Sequence, residues 1–342
     1  MRREPMKTER STGEPDRQRP PTLKTIAYMT GYSVTAVSRA LRDAPDISRE
    51  TKERVSFAAR QVGYRPSRAA LRLRTGRTQV ISLILDIDEE IMGITAQMVN
   101  GISQHLRATN YHLVVTPYTH RDDPMDPVRY VVETGSADGV ILSRIEPHDR
   151  RVAFLRKHDM PFATHGRTDM GIEHPWHDFD NESFAYDSTL WAARHGAGRV
   201  ALLGPPMNLS YAHHMWHGFN RAVAEANLVA VPLGEITVDD TLDRVEAHIA
   251  AIMAGPDRPQ AIICGAASAA MAATSGLEAC GLRLGEDVLI ASKQSTRILE
   301  RFRPQIHTVH EDVEEAGRGL ADFVLRSIGG EPPCGLQTLT YR

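Results

Sequence analysis

The sequence predicts a small all-α head of three helices on an α/β core of two Rossmann-like lobes with parallel sheets. Three observations predict it. Residues 22–64 carry short helical patterns separated by turn and cap residues. From Gln79 onward, short apolar runs alternate with amphipathic stretches, the pattern of strands joined by covering helices. About 260 residues of that alternation is long for one sheet, so two lobes of similar size are expected.

Charge divides the chain at the same place. Residues 1–78 hold 18 Lys and Arg against 8 Asp and Glu, a net +10, while 79–342 hold 22 against 35, a net −13. A basic head on an acidic body suits a protein that docks one end on phosphate. A basic solvated face would give the same count, so charge alone leaves both readings open.

Residues 1–20 are charged, proline-rich and nearly free of apolar side chains, and are expected to be disordered. In Lys24–Leu41 (KTIAYMTGYSVTAVSRAL), Ile26 and Ala27 share a face of a first helix. Gly31 permits the positive φ of a tight turn. Ser33 is a good cap for a second helix, with Val37, Ala40 and Leu41 as its apolar stripe. Ala27, Gly31 and Val37 stand at offsets of 4 and 6, which suits a helix-turn-helix, where small residues let two helices cross closely. Ser48 can cap a third helix whose Val55, Ala58, Ala59 and Val62 pack back on the pair. The second helix of this motif enters the major groove N-terminal end first. Val34, Thr35 and Arg39 are therefore the candidate base readers, against the plainer reading of a three-helix bundle. Residues 65–78 read as a basic connector.

In the core, strands are expected at Val80–Leu85, His112–Thr116, Gly139–Leu142, Pro161–Thr164, Val200–Leu203, Ala261–Cys264 and Val288–Ala291. Helices are expected at Ala96–Ala108, Glu182–His195, Ser210–Ala226, Leu242–Met253 and Ala267–Cys280. Cys264, Cys280 and Cys334 share no metal or disulfide spacing, which points to a reducing compartment. No apolar h-region opens the chain, and the longest aliphatic run falls far short of the ~20 residues that span a bilayer. A cytoplasmic protein without membrane contact is expected. His213 and His217 share a helix face, but no carboxylate follows on that helix until Glu225, so no metal is expected. Trp191 and Met271 sit at amphipathic helical positions and read as core or interface residues. No phosphate loop, nucleophile elbow or supported carboxylate pair is present, so neither cofactor nor enzyme activity is expected.

The segments TIAYMTGYSVTAVSRAL and ISRETKERVSFAARQVGYRPS, followed by Gly63–Thr78 (GYRPSRAALRLRTGRT), resemble the LacI–GalR family of bacterial transcription regulators. The resemblance covers roughly residues 22–342, tightly through the head and connector and loosely beyond. It implies that 65–78 is a hinge that folds on operator DNA. There Leu73 would wedge into the minor groove and Arg74 would read the neighbouring bases. Thr22, Ser33, Ser38, Arg68 and Ala70 complete the implied DNA-contacting set. It also implies a periplasmic-binding-protein-like core at 79–342, a small effector in its cleft, and a homodimer reading a pseudo-palindromic operator.

Ligands of such sheets sit at the carboxyl ends of the strands. That nominates the segments 86–91, 143–144, 165–167, 176–181, 205–215, 265–268 and 292–295, with Asp86, Arg144, Trp176 and Gln294 among them. At three places the chain departs from the family. A family arginine separated by two residues from Gly-Phe falls at Met215, an Asn-Asp pair falls at Ala266-Ala267, and a Gly-Tyr/Phe-Asp-Asp segment falls at Ser292–Ser295. Asp180 and Asn181 remain on family positions. Either His165, Arg167, Asp178, Tyr211 and Lys293 form a different pocket, for a sugar, polyol or sugar acid, or the pocket has lost its effector. An effector-responsive repressor is the leading expectation. An effector-independent regulator and a transport-type sugar-binding protein are the alternatives.

Overall fold

The computed structural model describes residues 21–64, 72, 76–86, 93–119 and 122–341. The expected tail 1–20 and the expected hinge residues Arg68, Ala70, Leu73 and Arg74 lie outside them. The chain divides into two units, one ending at Gly76 and one beginning at Arg77.

The first unit holds helices α1 (Leu23–Thr30), α2 (Val34–Ala40) and α3 (Arg49–Gln61). Each begins where the sequence offers a cap. The Thr22 amide donates to Thr25 Oγ1 at 3.1 Å, and the hydroxyls of Ser33 and Ser48 accept from the amides of Ala36 and Thr51. Gly31 closes α1 at φ 76°, a left-handed conformation in which a side chain would be strained. Ile26, Val37, Ala40, Val55, Ala58 and Ala59 are buried together. They face inward because 3.6-residue periodicity puts 37 and 40, and 55, 58 and 59, on single stripes.

The second unit is two parallel sheets. One has the order β11-β5-β4-β3-β1-β2, formed by β1 (Val80–Asp86), β2 (His112–Tyr118), β3 (Gly139–Leu142), β4 (Phe162–His165), β5 (Trp176–Phe179) and β11 (Gln337–Thr340). The other has the order β10-β9-β8-β6-β7, formed by β6 (Arg199–Leu203), β7 (Val229–Ala230), β8 (Ala261–Cys264), β9 (Leu289–Gln294) and β10 (His307–His310). The first sheet is covered by α4 (Ile94–Leu106), α5 (Met125–Thr134), α6 (Arg150–Lys157) and α12 (Val313–Ile328). The second carries α7 (Asn181–Arg194), α8 (Ser210–Glu225), α9 (Leu242–Met253), α10 (Ala267–Ala279) and the short α11 (Ile298–Phe302). The chain passes from the first lobe to the second between β5 and α7, and returns between β10 and α12.

All seven expected strands and all five expected helices are present, with ends moved by up to three residues. β5, β7, β10 and β11 were not expected. Three of them are edge strands and β5 neighbours one, so they lack the apolar runs of two-sided burial seen in β3 and β8. Strand β9 runs three residues past the expected Ala291, so Lys293 and Gln294 stand on a strand and not on the loop after it.

Three helix crossings are closed by glycine. A Cβ on Gly101 of α4 would lie 2.0 Å from the carbonyl oxygen of Glu314 on α12, and one on Gly218 of α8 equally close to that of Glu182 on α7. At Gly276 of α10 the distance to the carbonyl of Glu246 on α9 would be 2.6 Å. The missing side chains hold α4 to α12, α8 to α7 and α10 to α9 at backbone distance.

Candidate functional site

In each sheet the chain order reverses about one strand: β1 lies between β2 and β3, and β6 between β7 and β8. A crevice opens at the carboxyl ends of strands at such switch points. Between the lobes lies a cavity of about 250 Å3. Asp86 ends β1, Ser143 and Arg144 follow β3, His165 ends β4, and Asp178 stands on β5. The second lobe contributes Gly265–Ser268 after β8, and Lys293–Ser295 at the end of β9. The first residues of α4, α7, α8, α10 and α12 (Ile94, Asn181, Ser210, Ala267 and Val313) also line it. Helix N-termini carry partial positive charge and free amides, which favours electron-rich groups.

The cavity's cations are matched by carboxylates. Arg144 Nε lies 3.2 Å from Asp86 Oδ2, and its Nη atoms pair with Asp239 of the second lobe. Lys293 Nζ is 2.8 Å from both Glu311 Oε2 and Asn181 Oδ1, and sits 5.2 Å over the Tyr211 ring. Arg167 Nε is 3.5 Å from Asp178 Oδ2, and its guanidinium lies 5.7 Å over the Trp176 ring. His165 Nε2 is 3.6 Å from Glu311 Oε1. Gln294 holds α11, bonding Glu300 and the Leu299 amide.

Burial governs the titrations. It pushes the Asp178 carboxyl up to about 7, although Arg167 opposes it. Asp178 Oδ2 is buried without a hydrogen-bond partner among the described residues. Burial pulls His165 down against Glu311, pulls His177 and His214 each to about 4, and raises the Tyr211 phenol. Glu311 is held below its ordinary value. Burial raises it, but Lys293, by charge and hydrogen bond, and His165 outweigh that. Among the described residues no group of three His, Cys, Asp or Glu is placed to hold a metal ion, and His213 Nε2 meets the Met207 carbonyl at 2.7 Å.

A carboxyl whose pKa rises on folding keeps its proton more tightly in the folded chain. The stability this adds is complete below the ordinary value of 3.8 and is lost as pH rises through about 7. Asp178→Asn is therefore expected to melt above the natural protein at pH 8, with the gap narrowing as pH falls and closing only near the ordinary value of 3.8. Differential scanning fluorimetry across that range checks it, and parallel pH profiles would count against the buried carboxyl.

Of the effector-site residues expected from sequence, Asp86, Arg144, His165, Arg167, Asp178, Tyr211, Lys293 and Gln294 line the cavity. Trp176, Asp180 and Met215 do not. Trp176 backs Arg167 from β5. Asp180 caps α7, accepting from the amide and hydroxyl of Ser183. Met215 is fully buried, and its Sδ lies 3.2 Å from where a Cβ on Gly265 would stand. Asp239 and Glu311, which ion-pair with Arg144 and Lys293, were not expected. Glu311 follows β10, an edge strand of sequence HTVH with no apolar run to announce it.

On the head, Ser33, Val34, Thr35 and Arg39 are exposed on or beside α2, opposite its buried Val37 and Ala40. Thr22 is exposed ahead of α1. Val34 with Ser38, and Thr35 with Arg39, stand at i,i+4 and so share faces. Ser38 is engaged by Arg42, which donates to its hydroxyl at 3.0 Å, and Arg39 is ion-paired with Asp46.

A capped helix-turn-helix head and a two-lobed parallel α/β core with a cleft between its lobes define the class of helix-turn-helix transcription regulators. Comparison with known proteins agrees. Residues 22–67 match the family model of bacterial regulatory proteins, lacI family, and residues 191–339 match that of the periplasmic binding protein-like domain. The transcriptional regulator AglR of Rhizobium meliloti (strain 1021) is 30% identical over 91% of this chain and 88% of its own. RafR of Escherichia coli, also a transcriptional regulator, is 30% identical over 92% and 94%. The chain belongs to the lacI family of bacterial regulatory proteins, as a helix-turn-helix transcriptional regulator. Its curated relatives are regulators and not enzymes. The lac repressor dimer bound to operator shares the fold, with a TM-score of 0.81 at 19% identity over 94% of this chain and 96% of that one. A complex of the regulator CelR with cellobiose does so with a TM-score of 0.66 at 22% identity, over 93% and 96%. Among the described residues no helix is long and apolar enough to cross a membrane.

Proposed function

We propose that this regulator is a repressor, acting as a homodimer on a pseudo-palindromic operator, and that a neutral carbohydrate in the cleft controls it. The observation that carries the effector reading is the charge balance of the cavity. Arg144, Arg167 and Lys293 each already face a carboxylate. An acidic sugar would have to displace one of those carboxylates. A neutral polyol needs only alternating donors and acceptors beside an aromatic face, which Lys293, Asn181, Asp178 and Tyr211 supply. A cavity lined by several charged and hydroxyl-bearing side chains speaks against a degenerate pocket filled by aliphatics, and the solved cellobiose complex of CelR is in keeping with the reading.

Control follows if the ligand binds one lobe arrangement better than the other, since only differential affinity shifts an equilibrium. Arg144–Asp239 and the 3.4 Å contact of Gln97 with Ser295 both join the lobes, so ligand groups competing for them would change the preferred arrangement. A mobility-shift assay on the protein's own upstream region at ~150 mM salt tests the operator reading, with neutral sugars and sugar acids added to separate the effector classes. Equal affinity for operator and random DNA sinks the first, and release by sugar acids alone sinks the second.

Arg39 is the proposed base reader. Its ion pair with Asp46 is half-exposed and so contributes little, which leaves the guanidinium available to a guanine edge. Arg39→Ala is expected to relax discrimination at one base pair of each half-site by ~10- to 100-fold. Competition binding with single-substituted operators measures it. An even loss across all sequences would make Arg39 a phosphate contact instead.

A further inference from the structure

The turn between α2 and α3 closes back on Arg39. Asp43 has φ 57°, in the left-handed region that non-glycine residues rarely adopt. Such conformations persist where surrounding contacts impose them, and they concentrate at functional sites. Here Lys52 of α3 holds the residue, with Nζ 2.7 Å from Asp43 Oδ1 and 3.2 Å from the Asp43 carbonyl oxygen. The Asp43 amide donates to the Ala40 carbonyl at 3.1 Å, and the amides of Arg42 and Ala44 both donate to the Arg39 carbonyl, at 3.2 and 3.1 Å. Pro45 fixes its own φ, and Ile47 packs on the core of the head. Between these two anchors stands Asp46, and its carboxylate ion-pairs with the Arg39 guanidinium.

The pairing changes what Arg39 can do at DNA. A free guanidinium on an exposed helix face binds any phosphate, and phosphate carries no sequence information. Guanine offers two neighbouring acceptors, and reading both takes a guanidinium held in one orientation. Asp46 meets Arg39 at Nη2, which fixes that orientation in advance and leaves other N–H groups to a base edge. Its negative charge also repels phosphate oxygens, whereas a base edge carries no charge. In the free head the pair is half-exposed and water weakens it. DNA that covers the pair removes that water, and charges attract more strongly at lower dielectric. Residues 1–78 carry a net +10, so a carboxylate on the reading face lowers affinity for DNA in general, and a gain in discrimination offsets it.

We propose that Asp46 is a specificity-determining residue of the head, which holds the Arg39 guanidinium ready for a base edge and denies it to phosphate. This rests on the reading of Arg39 as a base reader. The strained turn at Asp43 serves to place that carboxylate. Asp46 acts through Arg39 and is a positioning residue, with no base contact of its own.

Selection of the full chain's preferred duplex from a randomised pool, then competition binding with each single base-pair substitution, tests the proposal. Arg39→Ala identifies the base pair that Arg39 reads, as the position where discrimination falls. Asp46→Asn keeps the shape of the side chain and removes its charge. It is expected to cut discrimination at that base pair by about 5- to 10-fold and to leave the other positions unchanged. On random duplex it is expected to bind more tightly, with the slope of log affinity against log salt steeper by about 0.9 per head, one further phosphate contact. In the Arg39→Ala background the same change is expected to alter discrimination at no position. Asp46→Asn with full discrimination at that base pair, or with an equal loss at every position, overturns the role of Asp46 and leaves Arg39 a base reader. Undiminished discrimination by Arg39→Ala at every position overturns the reading of Arg39 and this proposal with it.

Discussion

Lys293→Met is expected to destabilise the core by about 3 kcal/mol at pH 7 and to abolish the response to the effector. The side chains of Lys293 and Glu311 retain only 12% and 14% of their exposure, so removal of the ammonium strands a carboxylate away from water. The same change leaves Asn181 Oδ1 without its 2.8 Å donor. The expected cost lies at the lower end for breaking a buried pair, because both groups keep some contact with solvent. Glu311→Gln added to Lys293→Met should recover much of the loss, since the stranded charge is gone. A double-mutant cycle by urea denaturation measures the coupling, and additive losses would show that the two groups act independently. The pH dependence has a definite sign. Glu311 is depressed in the folded chain, so its contribution is present above its ordinary value of 4.5 and lost as pH falls through the lower, folded value. Lys293→Met should remove that acid-side loss.

Much of this molecule could be read from its sequence, for reasons that differ by element. The head was legible because its signals are local. Ser33 and Ser48 cap the helices that begin directly after them, and Gly31 sits where a left-handed residue is required. The central strands β1, β3 and β8 were legible because burial on both faces demands unbroken apolar runs. The pocket was half legible. Strand ends at a switch point are fixed by topology, which brought Asp86, Arg144, His165 and Lys293 into view. The partners Asp239 and Glu311 were not visible, because Asp239 lies among the turns between β7 and α9, and Glu311 follows β10, a short edge strand whose HTVH sequence resembles a loop. Asp180 and Trp176 show the complementary error. Trp176 shares a face of β5 with Asp178 but stands at the start of the strand under the Arg167 guanidinium, and Asp180 turns back to cap α7, so proximity in sequence to Asp178 placed neither in the cavity.

The glycine crossings tie the site to the scaffold beneath it. Gly101→Ala is expected to cost about 3 kcal/mol, the upper end of overpacking penalties, because the new methyl meets a backbone oxygen and not a movable side chain. The opposing Gly317 has the same constraint, since a Cβ there would lie 2.6 Å from the Met98 carbonyl, so neither helix can yield without moving the other. The consequence reaches function, because Thr95 and Met98 of α4 and Val313 of α12 line the cavity. Separation of the two helices must shift that wall, so effector affinity should fall even at temperatures where the variant is fully folded. Ser103→Ala, a partly exposed position on the same helix, serves as the control and should change neither property. Thermal melts paired with titration calorimetry distinguish the outcomes. A Gly101→Ala protein with the natural melting temperature would mean that α4 and α12 can separate freely. One that is destabilised but binds with full affinity would mean that the crossing supports the fold without setting the shape of the site.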